Sequence, residues 1–163
     1  MAKNKEEKTN VMRVLEQKKI AYSAHTYPHE EGVAVDGVTV AKSMGFDPAI
    51  VFKTLVARGA SKQYYVFDVP VAENLDLKKA AKAVGEKSIE MLHQKELLPL
   101  TGYVHGGCSP VGMKKLFPTV IDASAENLET MIVSAGKIGY QVELSPRDLA
   151  ALVRAKFADI IVE

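Results

Sequence analysis

The run Ala49-Ile50-Val51-Phe52-Lys53-Thr54-Leu55-Val56-Ala57 constrains this chain more than any other stretch, because it is almost wholly apolar yet carries one lysine near its middle. Its β-branched residues and lack of polar alternation read as a strand covered on both faces. Successive strand side chains point to opposite sides, so Val51, Lys53, Leu55 and Ala57 share one face and Phe52, Thr54 and Val56 the other. Neither face is polar. Lys53 must therefore reach water, pair with an acid, or point into a cleft where a ligand supplies the negative charge. A lysine near a strand end with its ammonium in solvent is the plain alternative to a functional one.

The elements around this strand are legible from turn and cap signals. Gly59-Ala60-Ser61-Lys62 makes a turn, and Gln63 to Val69 returns as a hairpin partner ended by Pro70. Before it, Thr9 or Asn10 caps a helix that buries Val11, Val14 and Leu15 and runs out near Lys19. Ile20 to Tyr27 alternates as a strand until Pro28. A short helix from Gly37 to Met44 stops at Gly45. After the hairpin, Asp76 caps a helix with Leu77, Ala80, Ala81 and Val84 on its buried side and Gly85 as its stop. Strands are expected at Ser88 to Met91, Thr119 to Asp122, Thr130 to Val133 and Tyr140 to Leu144. Ser145-Pro146-Arg147-Asp148 opens a last helix that buries Leu149, Leu152 and Val153. Strands arriving mostly as hairpins, with helices between groups of them, predict an α+β fold with a mixed, largely antiparallel sheet.

At 163 residues, with 47% hydrophobic and 25% charged composition, one domain spanning 1–163 accounts for the whole chain, with residues 1–8 a flexible lead. The polar, lysine-rich Met1 to Thr9 stretch has neither the apolar core of a signal peptide nor that of an anchor, and no later run approaches the roughly 18 apolar residues of a membrane span. Cys108 is the single cysteine, which excludes an intramolecular disulfide. The cytoplasm is the expected compartment, with no membrane partner. Lys and Arg total 21 against 20 for Asp and Glu, so the net charge of +1 is not that of a protein gripping long nucleic acid unaided. Any RNA contact should be local. Lys78, Lys79, Lys82, Lys87, Lys114 and Lys115 supply a modest positive surface or simply a solvated one.

A second candidate for chemistry is Gly102-Tyr103-Val104-His105-Gly106-Gly107-Cys108-Ser109-Pro110, whose paired glycines let the backbone approach a ligand and turn N–H groups toward an oxygen or a phosphate. The plain alternative is a glycine turn. Ser134-Ala135-Gly136-Lys137-Ile138-Gly139 joins two expected strands and either lines the same cleft or is only a hairpin. Cys108 lies three residues after His105, an arrangement open to a thiol nucleophile with a histidine base, but unpaired cysteines are commonly small buried hydrophobes. His25 and His29 have a ligand-like spacing only on a helix, and Pro28 lies between them at the end of a strand. No Cys pair, HExxH, phosphate loop or dinucleotide fingerprint occurs, so neither a metal nor a cofactor is expected.

Taken in order, His25-Thr26-Tyr27, Phe52-Lys53-Thr54-Leu55, Leu75-Asp76-Leu77-Lys78-Lys79, Gly106-x-x-x-Pro110 and Val133-Ser134-Ala135-Gly136-Lys137 resemble the YbaK family of aminoacyl-tRNA deacylases and the related editing domain of bacterial prolyl-tRNA synthetase. The resemblance covers nearly the whole chain. It implies a curved, mostly antiparallel sheet with flanking helices and hydrolysis of Cys-tRNA(Pro), with Cys-tRNA(Cys) a further substrate. It also implies that Lys53 is the key residue, binding the 3′-terminal adenosine of the tRNA acceptor end through phosphate or ribose oxygens. The loop Gly106, Gly107, Ser109 and Pro110 would cradle the aminoacyl end, with Tyr27, Thr54, Ser134, Gly136 and Gln141 around it. The substrate's own thiol would attack its carbonyl, and prolyl-tRNA synthetase is the implied protein partner. An activated ester needs positioning more than a triad, which suits a sequence that displays none. This sequence departs from the family at Gln141, where many members carry an acid, and in Val33-Ala34-Val35-Asp36-Gly37, where an aromatic is frequent. Both changes bear on which amino acid is removed, and relatives acting on Ala-tRNA(Pro) define the alternative substrate. A module that binds a nucleotide or aminoacyl end without turnover is the alternative class.

Overall fold

The computed structural model describes residues 8–163. The expected flexible lead lies outside the described residues except for Lys8, whose ammonium pairs with Glu16 at 3.0 Å. The first element, α1 (Asn10–Gln17), starts where the Thr9 hydroxyl accepts the Met12 N–H, and buries Val11, Met12 and Leu15. It is followed by β1 (Ser23–Thr26), α2 (Gly37–Met44), β2 (Phe52–Gly59), β3 (Tyr64–Pro70), α3 (Leu77–Val84), β4 (Ile89–Met91), α4 (Gln94–Thr101), β5 (Thr119–Asp122), β6 (Met131–Ser134), β7 (Tyr140–Leu144), α5 (Pro146–Val153) and β8 (Lys156–Ala158).

The α+β class holds, and the expected sheet is divided in two. One sheet has the order β1-β7-β6, all antiparallel; the other has the order β4-β2-β3-β5-β8, antiparallel through β3 and parallel from β3 to β5 and β5 to β8. A single bridge between Val51 and Ile132 ties them together immediately before β2 begins. The strand expected over Ala49 to Ala57 begins instead at Phe52, because Asp47 caps a short 3-10 turn over Pro48–Ile50. That turn delivers the chain into β2 with Val51 and Phe52 fully buried between the sheets.

Two side-chain layers cover the two faces of β2. Leu55 and Ala57 pack with Phe67, Val69, Ala80 and Ala81 beneath α3, while Val56 packs with Val66, Cys108 and Phe117 beneath the loop after α4. Complete burial of a side chain such as Phe67 contributes roughly 1.5–3 kcal/mol. Leu77, placed on the buried side of α3 by periodicity, is 42% exposed, since the helix turns its Ala80/Ala81 stripe inward and leaves its first residue outside. Among the described residues no helix is long and apolar enough to cross a membrane.

Candidate functional site

A cleft of about 380 Å³ opens where the two sheets meet at the start of β2. Val51 to Leu55 form its base, Ala34 to Gly37 one wall, and His105, Gly106 and Cys108 the opposite wall; Tyr27, Ser134 and Gln141 close the end toward the three-stranded sheet. The volume suits a small ligand or the end of a larger one.

The walls meet through glycines. Gly106 has φ +90°, and a Cβ there would lie 2.7 Å from the Ala34 Cβ, so its missing side chain allows the two walls to touch. Gly107 approaches the Lys137–Ile138 backbone, where a Cβ would sit 3.1 Å from the Ile138 nitrogen.

Lys53 lines the cleft half-buried, and among the described residues it closes no ion pair. Burial lowers its pKa, while the more distant carboxylates of Asp36 and Glu73 pull it back up. Asp36 is itself committed to capping α2, accepting from the Thr39 N–H at 3.0 Å and the Thr39 hydroxyl at 2.9 Å. The cation is therefore available to an anionic ligand.

Thr54, next along the strand, donates its hydroxyl to Asp68 Oδ1 at 2.6 Å. Its oxygen lone pairs are left for the cleft. Asp68 lies opposite Thr54 in the β2–β3 register and is fully buried, with Oδ2 unpartnered. Burial pushes its carboxyl up to about 7 against the lowering effect of the Thr54 hydrogen bond.

Ser134 and Gln141 face each other across β6 and β7. The Ser134 hydroxyl oxygen accepts the Gly136 N–H at 3.1 Å, and Gln141 is buried with Oε1 unpartnered. Tyr27 is anchored by its own N–H to the Gly139 carbonyl at 3.0 Å, and its buried phenol titrates above its usual range.

The structure thus gathers Lys53, Tyr27, Thr54, Gly106, Ser134 and Gln141 in one cleft. Gly107, Ser109, Pro110 and Gly136 stand behind it. The Gly107 N–H donates to Val104, so it does not face a ligand; Ser109 is buried and accepts the Val111 N–H; Pro110 is buried in the same turn; Gly136 packs on Tyr103 and Val11. Cys108 does reach the cleft, but burial and the nearby Asp68 charge push its thiol up to about 12, which leaves it protonated at neutral pH. His25 donates to Glu143 at 2.8 Å and His29 to the Tyr27 carbonyl at 3.0 Å, so each ring has a structural partner.

Asp68 escaped the sequence reading. The signal was there: an acid in the apolar run Tyr64 to Val69 is the same anomaly that singled out Lys53.

The profile of the aminoacyl-tRNA editing domain family matches residues 32–152, which include every cleft residue except Tyr27. This chain belongs to that family. The editing domain is 45% identical over 161 residues to a protein of Enterococcus faecalis (strain ATCC 700802 / V583) with the provisional name Cys-tRNA(Pro)/Cys-tRNA(Cys) deacylase EbsC, covering 98% of each chain. Among solved structures it resembles one provisionally described as a trans-editing enzyme for prolyl tRNA synthetase, at 25% identity and a TM-score of 0.79 over 94% of this chain and 95% of that one. The hypothetical protein APE2540 shares the fold at 20% identity, with a TM-score of 0.82 over 93% and 99%.

Proposed function

We propose that this editing domain acts in trans as a deacylase, hydrolysing the ester of mischarged Cys-tRNA(Pro), and of Cys-tRNA(Cys), in the cytoplasm. The observation that carries the reading is the half-buried Lys53, which closes no ion pair among the described residues, in a cleft whose one carboxylate, Asp36, is engaged in capping α2. A cation so placed attracts one anionic end of a ligand, and the rest of the cleft is sized for a small group.

In this reading Lys53 anchors the phosphate or ribose oxygens of the terminal adenosine. The Gly106 N–H, which takes no partner among the described residues, supports the ester carbonyl. Thr54, Ser134, Gln141 and Tyr27 surround the aminoacyl group, while Gly107, Ser109, Pro110 and Gly136 hold the loops in shape. The cysteinyl thiol attacks its own carbonyl, so the protein's contribution is positioning and charge stabilisation. A net charge of +1 leaves most of the tRNA ungripped, which favours prolyl-tRNA synthetase as the partner that presents it.

The test is a deacylation panel of Cys-, Ala- and Pro-tRNA(Pro) with Cys-tRNA(Cys). Release is expected from the cysteinyl esters. Lys53→Ala should lower it at least about tenfold, the scale of one lost charged hydrogen bond, with an unchanged melting curve. No release from any of the four would sink the proposal, and saturable binding without turnover would make the chain a binding module.

A further inference from the structure

Among the described residues Asp68 is the one fully buried carboxylate attached to the cleft, and the deacylase reading so far leaves it without a role. Its placement is specific. Thr54, Val56, Val66 and Asp68 share one face of the β2–β3 hairpin, and the loop carrying Cys108 covers that face. Among the described residues the sole side-chain bond to the carboxylate comes from a hydroxyl that lines the cleft. An ionised acid buried with one oxygen unpartnered burdens the fold, and a burden kept beside a cleft points to a use there.

We propose that Asp68 is a positioning residue that receives, through Thr54, the proton of the group attacking the ester. The proposal rests on the deacylase reading. The attacking group, a thiol S–H or a water O–H, gives its proton to Thr54 Oγ1 as Thr54 passes its own to Asp68 Oδ1. The new bond to the carbonyl carbon forms and the carbon–oxygen ester bond breaks. The departing ribose oxygen then takes the proton back along the same path. Atoms and charge balance, and Asp68 ends the turnover ionised, as it began.

The surroundings favour this direction of transfer. Among the elements packed on Asp68, β2 presents Thr54, β5 presents Ile121 opposite it in register, and the loop presents Cys108, the one titratable group among the described residues shown to sense its charge. No cation contributes to its titration, so the carboxylate accepts a proton readily near neutral pH.

The experiment compares wild type, Asp68→Asn, Thr54→Val and Thr54→Ser on Cys-tRNA(Pro) across pH, with kcat and KM separated and folding checked by circular dichroism. Wild-type kcat should rise with pH through about 7. Asp68→Asn keeps an acceptor for the Thr54 hydroxyl but cannot take a proton, so kcat should fall about a hundredfold or more, with KM unchanged and the limb near neutrality gone. Thr54→Val should fall to the same level and Thr54→Ser should retain activity. Asp68→Asn within about threefold of wild type with the limb intact, or Thr54→Val at wild-type kcat, overturns the relay. Should Asp68→Asn not fold, the Thr54 pair decides alone. A wild type that releases nothing overturns the deacylase reading itself, a different result from a silent relay in an active enzyme.

Discussion

Asp68→Asn is expected to change the sign of its stability effect with pH. The carboxyl titrates at 3.8 when exposed and at about 7 in the fold. A raised carboxyl pKa means that the folded chain holds the proton more tightly, so stability is fully present below 3.8, declines as pH rises from there to about 7, and is constant above. At about 1.4 kcal/mol per pH unit, the burden at pH 8 is on the order of 4 kcal/mol. Asparagine carries no charge and escapes this burden while still accepting from Thr54. Its Nδ2 occupies the place of the unpartnered Oδ2, where stranded N–H donors cost about 1–3 kcal/mol at every pH. The balance at pH 8 is a gain of about 1–3 kcal/mol, which raises the midpoint by about 2–12 °C for a chain of this size. Near pH 4 the carboxyl burden is below about 1 kcal/mol and the stranded amide dominates, so the variant should be the less stable protein. Urea and thermal unfolding of both proteins from about pH 4 to 8 read the difference directly, because every other titrating group is common to the pair. A difference that does not vary with pH, or a variant less stable than wild type at pH 8, would refute a carboxyl titrating near 7.

Gly106→Ala should destabilise the fold by about 1–3 kcal/mol, since it forces a side chain into φ +90° and against Ala34, and deacylation should fall with it; an unchanged melt and rate would mean that the two cleft walls do not touch. Cys108 should resist iodoacetamide in the native protein at neutral pH and react fully after urea unfolding, because its thiol is buried and titrates at about 12. Equal labelling rates in the two states would contradict that burial.

Local signals located the elements well where one residue type settles the question. Asp76 and Gly85 bracket α3 and Asp36 and Gly45 bracket α2, with each glycine in the left-handed region. What depended on distant partners was not legible. The three residues of β8 become a strand only because β5 lies beside them, and a parallel pairing across that distance leaves no turn signal between the two. Helix α4 was hidden by Pro99, although Glu96 reaching back to the His93 N–H and left-handed Gly102 are start and stop signals in retrospect. Nor does any local pattern encode the division into two sheets or the Val51–Ile132 bridge that ties them. Of the cleft, the strand lysine and the glycine loop stood out as anomalies of pattern. The Val33–Gly37 loop entered through the family resemblance, and Asp68 was recognised only once the β2–β3 pairing set it opposite Thr54.

That pairing explains why one hairpin can present a cation and an acid that do not pair with each other. Lys53 and Asp68 are oppositely charged and lie on adjacent, hydrogen-bonded strands, a setting in which ion pairs form readily. The register prevents it. Lys53 stands opposite Val69, and Asp68 stands opposite Thr54, so strand alternation sends the two charges to opposite faces of the hairpin. A slip by one residue would set Lys53 against Asp68, and the resulting pair would remove the anion-binding cation and the proton acceptor at once. The native register instead lets α3 cover the lysine's face and the Cys108 loop cover the acid's. Only at the first turn of β2, where Lys53 and Thr54 reach the same cleft from their two sides, do the separated functions converge on one ligand.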